Sequence, residues 1–125
     1  IKDHMFLDGL EDAYDRGKLM GVFAETCAQH YQFTRDAQDK FSITSLERAK
    51  KASGDGSFKN EIVPVIIKGK KGDVEIAQDE QPGKADPAKI PTLKPAFAKD
   101  GTVTAANASS ISDGAAALIL MRESE

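Results

Sequence analysis

The sequence predicts an α/β fold, which in these 125 residues taken by themselves is an α+β arrangement. Two stretches repeat apolar or small residues at helical spacing, and a third alternates apolar with charged residues as paired strands do. A wholly apolar run at 115–121 is typical of a strand buried on both faces. Periodicity alone leaves a buried helix open for this run.

Composition narrows the function classes. Seventeen basic against twenty acidic residues give a net charge of −3, so no global basic field points to nucleic acid or an anionic membrane. A single cysteine rules out an internal disulfide. No apolar run is long enough to cross a bilayer and no signal segment opens the sequence, so we expect a cytoplasmic protein.

Residues 1–17 predict mostly loop with one helical turn at most, because glycines interrupt a helical spacing of leucines and Tyr14. An amphipathic helix is predicted from about Met20 to about Tyr31. Its apolar face would carry Met20, Phe23, Ala24, Cys27, Ala28 and Tyr31.

A second helix is predicted from about Arg35 to about Ser53, with Thr34 as its N-cap and Gly54 and Gly56 ending it. A narrow stripe of mostly small residues would face its neighbour: Ala37, Phe41, Ser45, Ala49 and Ala52.

Residues 61–68 predict a strand that Pro64 restricts to an edge or a bulge, and residues 73–76 predict a returning strand. The two would form a ribbon that faces solvent on one side. Residues 78–95 hold four of the five prolines with lysines between them, which predicts an extended, basic loop.

A loop of small residues and hydroxyls, 105–112, precedes the apolar run. Its small side chains let a ligand approach the backbone, and its serines and Asn107 offer hydrogen-bond partners. The loop is therefore a candidate binding site for a ligand that the pattern does not name.

The stretch GTVTAANASSISDGAAALILM at 101–121 resembles the thiolase family, in which GTVTAGNAS and NDGAAA lead into a core strand of the N-terminal domain. Upstream, the resemblance extends over nearly the whole sequence, in order. It includes Met20-Gly21, Ala24-Glu25, TRDAQDKF at 34–41, Phe58, EIVPV at 61–65, Asp79-Glu80 and Pro95-Ala96-Phe97.

The resemblance implies a domain division. Residues 1–110 would form the family's loop domain, which covers coenzyme A, and residues 111–125 would supply a returning strand of the five-layered αβαβα core. Because the sequence begins with Ile1 rather than methionine, we expect a piece of a longer protein.

The resemblance also implies an acetyl-CoA C-acyltransferase that condenses acyl-CoAs or cleaves 3-ketoacyl-CoA through an acyl-cysteine. The family's two catalytic cysteine motifs and its Gly-His-Pro histidine have no match here, so no catalytic residue is assigned and this piece alone is expected to be inactive. Cys27 is interpreted as a core residue, and His4 and His30 show no metal-site spacing.

Ser109 matches the serine that contacts the pantetheine arm of coenzyme A, against the alternative that it bonds its own turn. Ala105 and Phe97 match apolar positions of the same cleft, or are ordinary core residues.

Met20 matches a methionine beside the acyl group but fits helix packing equally well. Leu19 stands where many family members have a histidine, which leaves the acyl-chain preference open. Lys84, with Lys89, would lie near the nucleotide end as a point charge for phosphate, or be a solvated surface lysine.

No cofactor is predicted, because coenzyme A would be a substrate. The implied partners are acyl-CoA or CoA, further thiolase chain and a second copy in a homodimer or homotetramer, without nucleic acid or membrane. Two alternatives stay open: a stand-alone CoA-binding or regulatory module, and an inert proteolytic fragment.

Overall fold

The computed structural model describes residues 1–124. A π-helical turn at Phe6–Leu10 precedes two main helices, α1 at Met20–His30 and α2 at Arg35–Gly54. Two short strands follow, β1 at Val65–Ile67 and β2 at Val74–Ile76. The short helix α3 at Gln81–Lys84 and a 3-10 helix at Pro87–Thr92 complete the regular structure. The mixed helix and strand content agrees with the predicted class.

Helix α1 has the predicted bounds within one residue, but only part of its predicted apolar face is buried. Gly21, Glu25 and Ala28 turn toward the remainder of the chain, and Ala28 is the buried residue of the helix. Phe23 and Tyr31 of the predicted apolar face are exposed. The prediction of a core position for Cys27 was wrong, because its side chain is exposed. Helical periodicity located the helix and its buried Ala28, but the described chain half-buries Gly21 and Glu25 instead of Phe23 and Tyr31.

Helix α2 begins as predicted, because the Thr34 hydroxyl accepts a hydrogen bond from the Ala37 amide at 3.2 Å. It ends at Gly54, and Gly56 then adopts a left-handed backbone with φ of 83°. The predicted packing stripe is only partly right. Phe41 is exposed, whereas Asp39 and Ser42 are buried. The Asp39 carboxylate is paired with Arg35, and the Ser42 hydroxyl donates to the Gln38 carbonyl, so both buried polar groups have partners.

The two strands form an antiparallel ribbon in which Val65 pairs with Ile76, Ile66 with Glu75 and Ile67 with Val74. The first strand is shorter than predicted because it begins only after Pro64, whose ring removes a backbone donor. All six strand residues are exposed, so the prediction that one side is covered was also wrong for this chain.

Residues 78–95 are more structured than the predicted extended loop. Arg35 accounts for part of this order, because its guanidinium donates to the Ile90 carbonyl at 3.1 Å and to the Leu93 carbonyl at 2.9 Å. Asp39 holds the guanidinium with two hydrogen bonds of 2.9 and 2.8 Å. The prolines therefore belong to a short segment fixed against α2 rather than to a free loop.

The apolar run 115–121 has no regular secondary structure and no strand partner among residues 1–124, so the predicted strand is not formed. Leu118 is 87% exposed, Ile119 91% and Leu120 90%. Backbone groups need a neighbouring strand to form a ladder, and the described chain supplies none here. The division at 110 and 111, with a returning strand in a larger sheet, stays a prediction.

The apolar core of the described chain is small: Ala28, Ile90 and Val103 are its buried apolar residues. The accessible surface of 10902 Å² exceeds the roughly 6,500 Å² that size scaling gives for a globular protein of this mass. None of the helices described in residues 1–124 has the length and apolar character to cross a membrane.

Candidate functional site

A carboxylate from α1 holds the start of the small-residue loop. Both oxygens of Glu25 accept from the Thr102 amide, at 3.0 and 2.9 Å, and Oε1 also accepts from the Val103 amide at 2.8 Å. The Thr102 hydroxyl donates to Oε2 at 3.2 Å. One charged side chain thus satisfies two consecutive amides and a hydroxyl that lie outside any helix or sheet.

Helix α2 adds a second polar contact at the same point. Gln38 donates from Nε2 to the Thr102 hydroxyl at 2.9 Å and to the Phe33 carbonyl at 3.2 Å. The Thr102 hydroxyl therefore accepts from one helix and donates to the carboxylate of the other. The loop begins at a junction where both main helices meet it.

The loop then turns around two side chains. Asn107 accepts from the Thr104 amide at 2.7 Å and donates to the Thr102 carbonyl at 3.0 Å. The Thr104 hydroxyl accepts from the Ala106 amide at 3.2 Å, and Thr104 is fully buried. Since these contacts fix the turn, Ser109 is not needed to hold it.

An open, mainly apolar groove of about 670 Å³ lies between α1 and this loop. We call it the α1 groove and define it by Leu19, Met20 and Cys27 on the helix side and by Phe97 and Ser109 opposite. Gln38, Val103, Asn107 and Ala108 also line it. The wall of the groove therefore includes Gln38 and Val103, where the helices meet the loop, as well as the loop itself.

Phe97 reaches the groove because Gly21 leaves room for its ring. A Cβ atom built on Gly21 would collide with three atoms of the Phe97 ring. The backbone of α1 and the ring are therefore in direct van der Waals contact, which only a glycine allows at this position. The contact with the Phe97 ring explains why α1 carries a glycine in its first turn.

A second groove, of about 650 Å³, lies on the other side of the loop, between α2 and the segment that Arg35 anchors. We call it the α2 groove and define it by Ser45 and Ala49 of α2, Lys89 and Ile90 of the anchored segment, and Ala105 of the loop. Asn107, Ala108 and Ser109 line both grooves. The loop is thus the shared wall.

The structure brings most of the predicted site residues together. Leu19, Met20, Phe97 and Ser109 line the α1 groove, and Ala105 lines the α2 groove beside Ser109. Ser109 is exposed, and within residues 1–124 its hydroxyl makes no hydrogen bond, so it is free to meet a ligand. The interpretation of Ser109 as a residue that bonds its own turn is not what the described chain shows.

Lys84 lines neither groove, although its neighbours Pro82 and Ala85 line the α2 groove. Its ammonium is exposed and lies 2.5 Å from Oε2 of Glu80, and this hydrogen bond lowers the pKa of the Glu80 carboxyl. Lys89, from the same segment, does line the α2 groove. The geometry favours Lys89 over Lys84 as a cation near the loop.

Sequence reasoning did not assign a role to Glu25 or Gln38. Glu25 was noted only as half of an Ala-Glu pair, although a carboxylate between apolar helix positions is the kind of residue that needs a partner when it packs inward. Cys27, interpreted as core, instead lines the α1 groove. Among residues 1–124, no group of three His, Cys, Asp or Glu side chains could hold a metal ion.

The arrangement is suited to binding rather than to chemistry. The grooves combine apolar walls with an exposed hydroxyl on a fixed loop, and such walls hold an extended ligand while a few polar groups orient it. In the α1 groove no imidazole or carboxylate lines the wall beside Cys27 to activate its thiol.

A family profile described as the thiolase N-terminal domain matches residues 1–124. An acetyl-CoA acetyltransferase of Saccharomyces cerevisiae is 50% identical over 126 aligned residues, which cover 98% of this chain and 31% of the relative. An acetyl-CoA acetyltransferase of Shinella zoogloeoides is 49% identical, with 98% and 31% covered. The chain therefore spans about three tenths of the length of these curated relatives.

Solved structures give the same match. The acetyl-CoA acetyltransferase of Syntrophomonas wolfei superposes with a TM-score of 0.80 at 46% identity, covering 89% of this chain and 28% of that one. The Bacillus anthracis acetyl-CoA acetyltransferase gives a TM-score of 0.75 at 38% identity, covering 86% and 27%. Fold and sequence thus agree on one family.

Proposed function

The chain belongs to the thiolase family, and from this premise we propose that the protein carrying it is an acetyl-CoA C-acyltransferase to which this chain contributes part of the coenzyme A site. Family membership supports the reaction class, since the relatives are named acetyl-CoA acetyltransferases. The observation that carries the site is the exposed Ser109 hydroxyl on a loop whose own hydrogen bonds are made by Thr104 and Asn107.

The pantetheine arm of coenzyme A is narrow and carries amides along an otherwise apolar chain. In our proposal it runs past Ser109, whose hydroxyl pairs with one of these amides, while Phe97 and Met20 cover its methylene groups. Leu19 offers no polar contact in the position where a histidine stands in many family members. The α1 groove therefore presents an apolar wall there.

The nucleotide end would extend along the α2 groove, past Ala105. Lys89 lines this groove and can attract a phosphate as a point charge, although its ammonium lies 3.9 Å from the Asp86 carboxylate. Lys84 lines neither groove, and its ammonium is paired with Glu80 at 2.5 Å. Because both lysines are exposed, their contribution is screened by salt and should be small compared with the contacts of the arm.

Acyl transfer itself needs a nucleophile, a base and donors for an oxyanion. We assign none of these to residues 1–124, and in the proposal they come from elsewhere in a longer protein. Homodimers or homotetramers remain our expectation for that protein.

The proposal can be tested with Ser109→Ala in the protein that carries this chain, which we call the source protein. We expect its KM for acetoacetyl-CoA to rise several-fold and kcat to change little, because a hydrogen bond to a neutral amide contributes about 0.5–1.5 kcal/mol and lies away from the reacting atoms. Ser112→Ala is the matched control, since Ser112 lines neither groove.

Intact mass and thiolysis of the wild-type protein come first. A mass near 13.4 kDa without activity would contradict the acyltransferase and favour a stand-alone module or an inert piece. An active enzyme in which Ser109→Ala leaves KM unchanged but lowers the melting temperature would keep the reaction class and remove Ser109 from the site.

A further inference from the structure

We propose that Glu25 is a positioning residue of the coenzyme A site: its carboxylate fixes the loop that presents Ser109, although it does not itself contact the ligand. The inference rests on the proposed function and adds a residue to it. Glu25 lies on α1, whereas Ser109 lies at the far end of the loop, so the two are connected only through the backbone that Glu25 holds.

The Glu25 carboxylate accepts from consecutive backbone amides, as a capping residue does at the start of a helix, but these amides lie in a loop. Thr102 and Val103 both direct their amides at the carboxylate, with four hydrogen bonds of 2.8 to 3.2 Å when the Thr102 hydroxyl is counted. A carboxylate accepts at two oxygens and is stronger than a neutral acceptor. Val103 is buried, so water could not replace this partner without opening the loop.

Space around Glu25 is fitted to this role. A Cβ atom built on Gly101 would collide with the carboxylate, and Gly101 is not in a left-handed conformation. The glycine is therefore required by the close approach of the carboxylate and not by the turn. The Glu25 carboxylate can occupy its position only because residue 101 has no side chain.

The fixed backbone leads directly to the ligand wall. The Thr102 carbonyl accepts from Asn107, and the Thr104 carbonyl accepts from the Ala108 amide at 2.9 Å, immediately before Ser109. Losing the Glu25 contacts would release the first residues of this connected turn. The result would be a less ordered Ser109 and a weaker site, with chemistry elsewhere unaffected.

Glu25→Ala and Glu25→Gln in the source protein test the inference. We expect Glu25→Ala to raise KM for acetoacetyl-CoA several-fold and by no more than Ser109→Ala does, because Glu25 acts only through the placement of that hydroxyl, with kcat within about twofold. Glu25→Gln should give a smaller rise, because an amide oxygen can still accept from Thr102 and Val103 while its NH₂ group cannot. Hydrogen exchange of the 102–109 backbone should quicken in the same order.

Two further variants separate positioning from general stability. Gly101→Ala should displace the carboxylate and reproduce the KM rise with Glu25 still present, and it serves if Glu25→Ala does not fold. Asp55→Ala removes the acceptor of the Ser57 amide and hydroxyl beyond the end of α2 and should lower the melting temperature; because Asp55 lines neither groove, its KM should stay within about twofold of wild type.

A double-mutant cycle supplies the decisive comparison. If Glu25 acts through Ser109, then Glu25→Ala combined with Ser109→Ala should raise KM by clearly less than the product of the two single effects. Independent, multiplicative effects would overturn the inference, as would a KM for the Glu25 and Gly101 variants no higher than that of Asp55→Ala. An effect of Ser109→Ala alone would preserve the proposed function, whereas a wild type without acyl transfer would overturn both.

Discussion

Replacing Gly21 by alanine should destabilise the protein, although alanine is the better helix former. Gly21 lies in the first turn of α1, and an added methyl group would collide with the Phe97 ring. The ring must then leave its position or the helix must move. Because Phe97 is partly buried between α1 and the loop, both movements change the α1 groove.

Gly54→Ala serves as a control for the change in unfolding free energy expected of Gly21→Ala. Gly54 ends α2 and has open space where its Cβ would lie, so Gly54→Ala should gain about 0.5–1 kcal/mol from helix propensity and a less flexible unfolded chain. Gly21→Ala receives a similar gain but adds an overpacking cost of about 1–3 kcal/mol. The two variants should therefore differ by about 1–3 kcal/mol.

The assay is thermal unfolding of the source protein and both variants, followed by circular dichroism, with KM for acetoacetyl-CoA measured in parallel. We expect Gly21→Ala to melt below wild type, Gly54→Ala at or above it, and only Gly21→Ala to raise KM. Equal melting temperatures for the two variants, with KM unchanged, would refute the claim that the Gly21 backbone seats Phe97.

Two further predictions concern the 125-residue chain by itself. It should show no thiolysis of acetoacetyl-CoA, since no imidazole or carboxylate lines the α1 groove beside the Cys27 thiol; turnover that Cys27→Ser abolishes would contradict this. It should also associate as its concentration rises, because Leu118, Ile119 and Leu120 are about nine tenths exposed. Light scattering across a dilution series measures this, and a strictly monomeric chain at all concentrations would count against it.

Local signals predicted the helices well. Thr34 is an N-cap in sequence and in structure, and helical spacing placed both ends of α1 within one residue. The ribbon was also predictable, since Pro64 and the Lys-Lys-Gly turn mark its limits. These features depend on a few adjacent residues, which is why sequence patterns carry them.

Packing partners were much less predictable. The spacing of Phe23, Cys27 and Tyr31 indicates a buried face, yet what covers such a face is not encoded in the helix itself, and the described chain leaves it open. The strand expected at 115–121 fails for the same reason, because a strand exists only beside another.

The candidate site was predicted in part. Resemblance found Ser109, Phe97, Met20 and Leu19, which share one groove, but it ranked Lys84 with them although that lysine is paired with Glu80. Glu25 escaped notice because its partners, the amides of Thr102 and Val103, carry no side-chain signal. A buried acceptor for backbone donors can be recognised only once the chain path is known.

The two sides of the Glu25 contact are synthesised at different times. Its two ends are 77 positions apart in the chain. At synthesis rates of roughly 5–20 residues per second, a ribosome needs roughly 4–15 s to progress from Glu25 to Thr102. During this interval the nascent α1 displays the Glu25 carboxylate without the Thr102 and Val103 amides that later bind it.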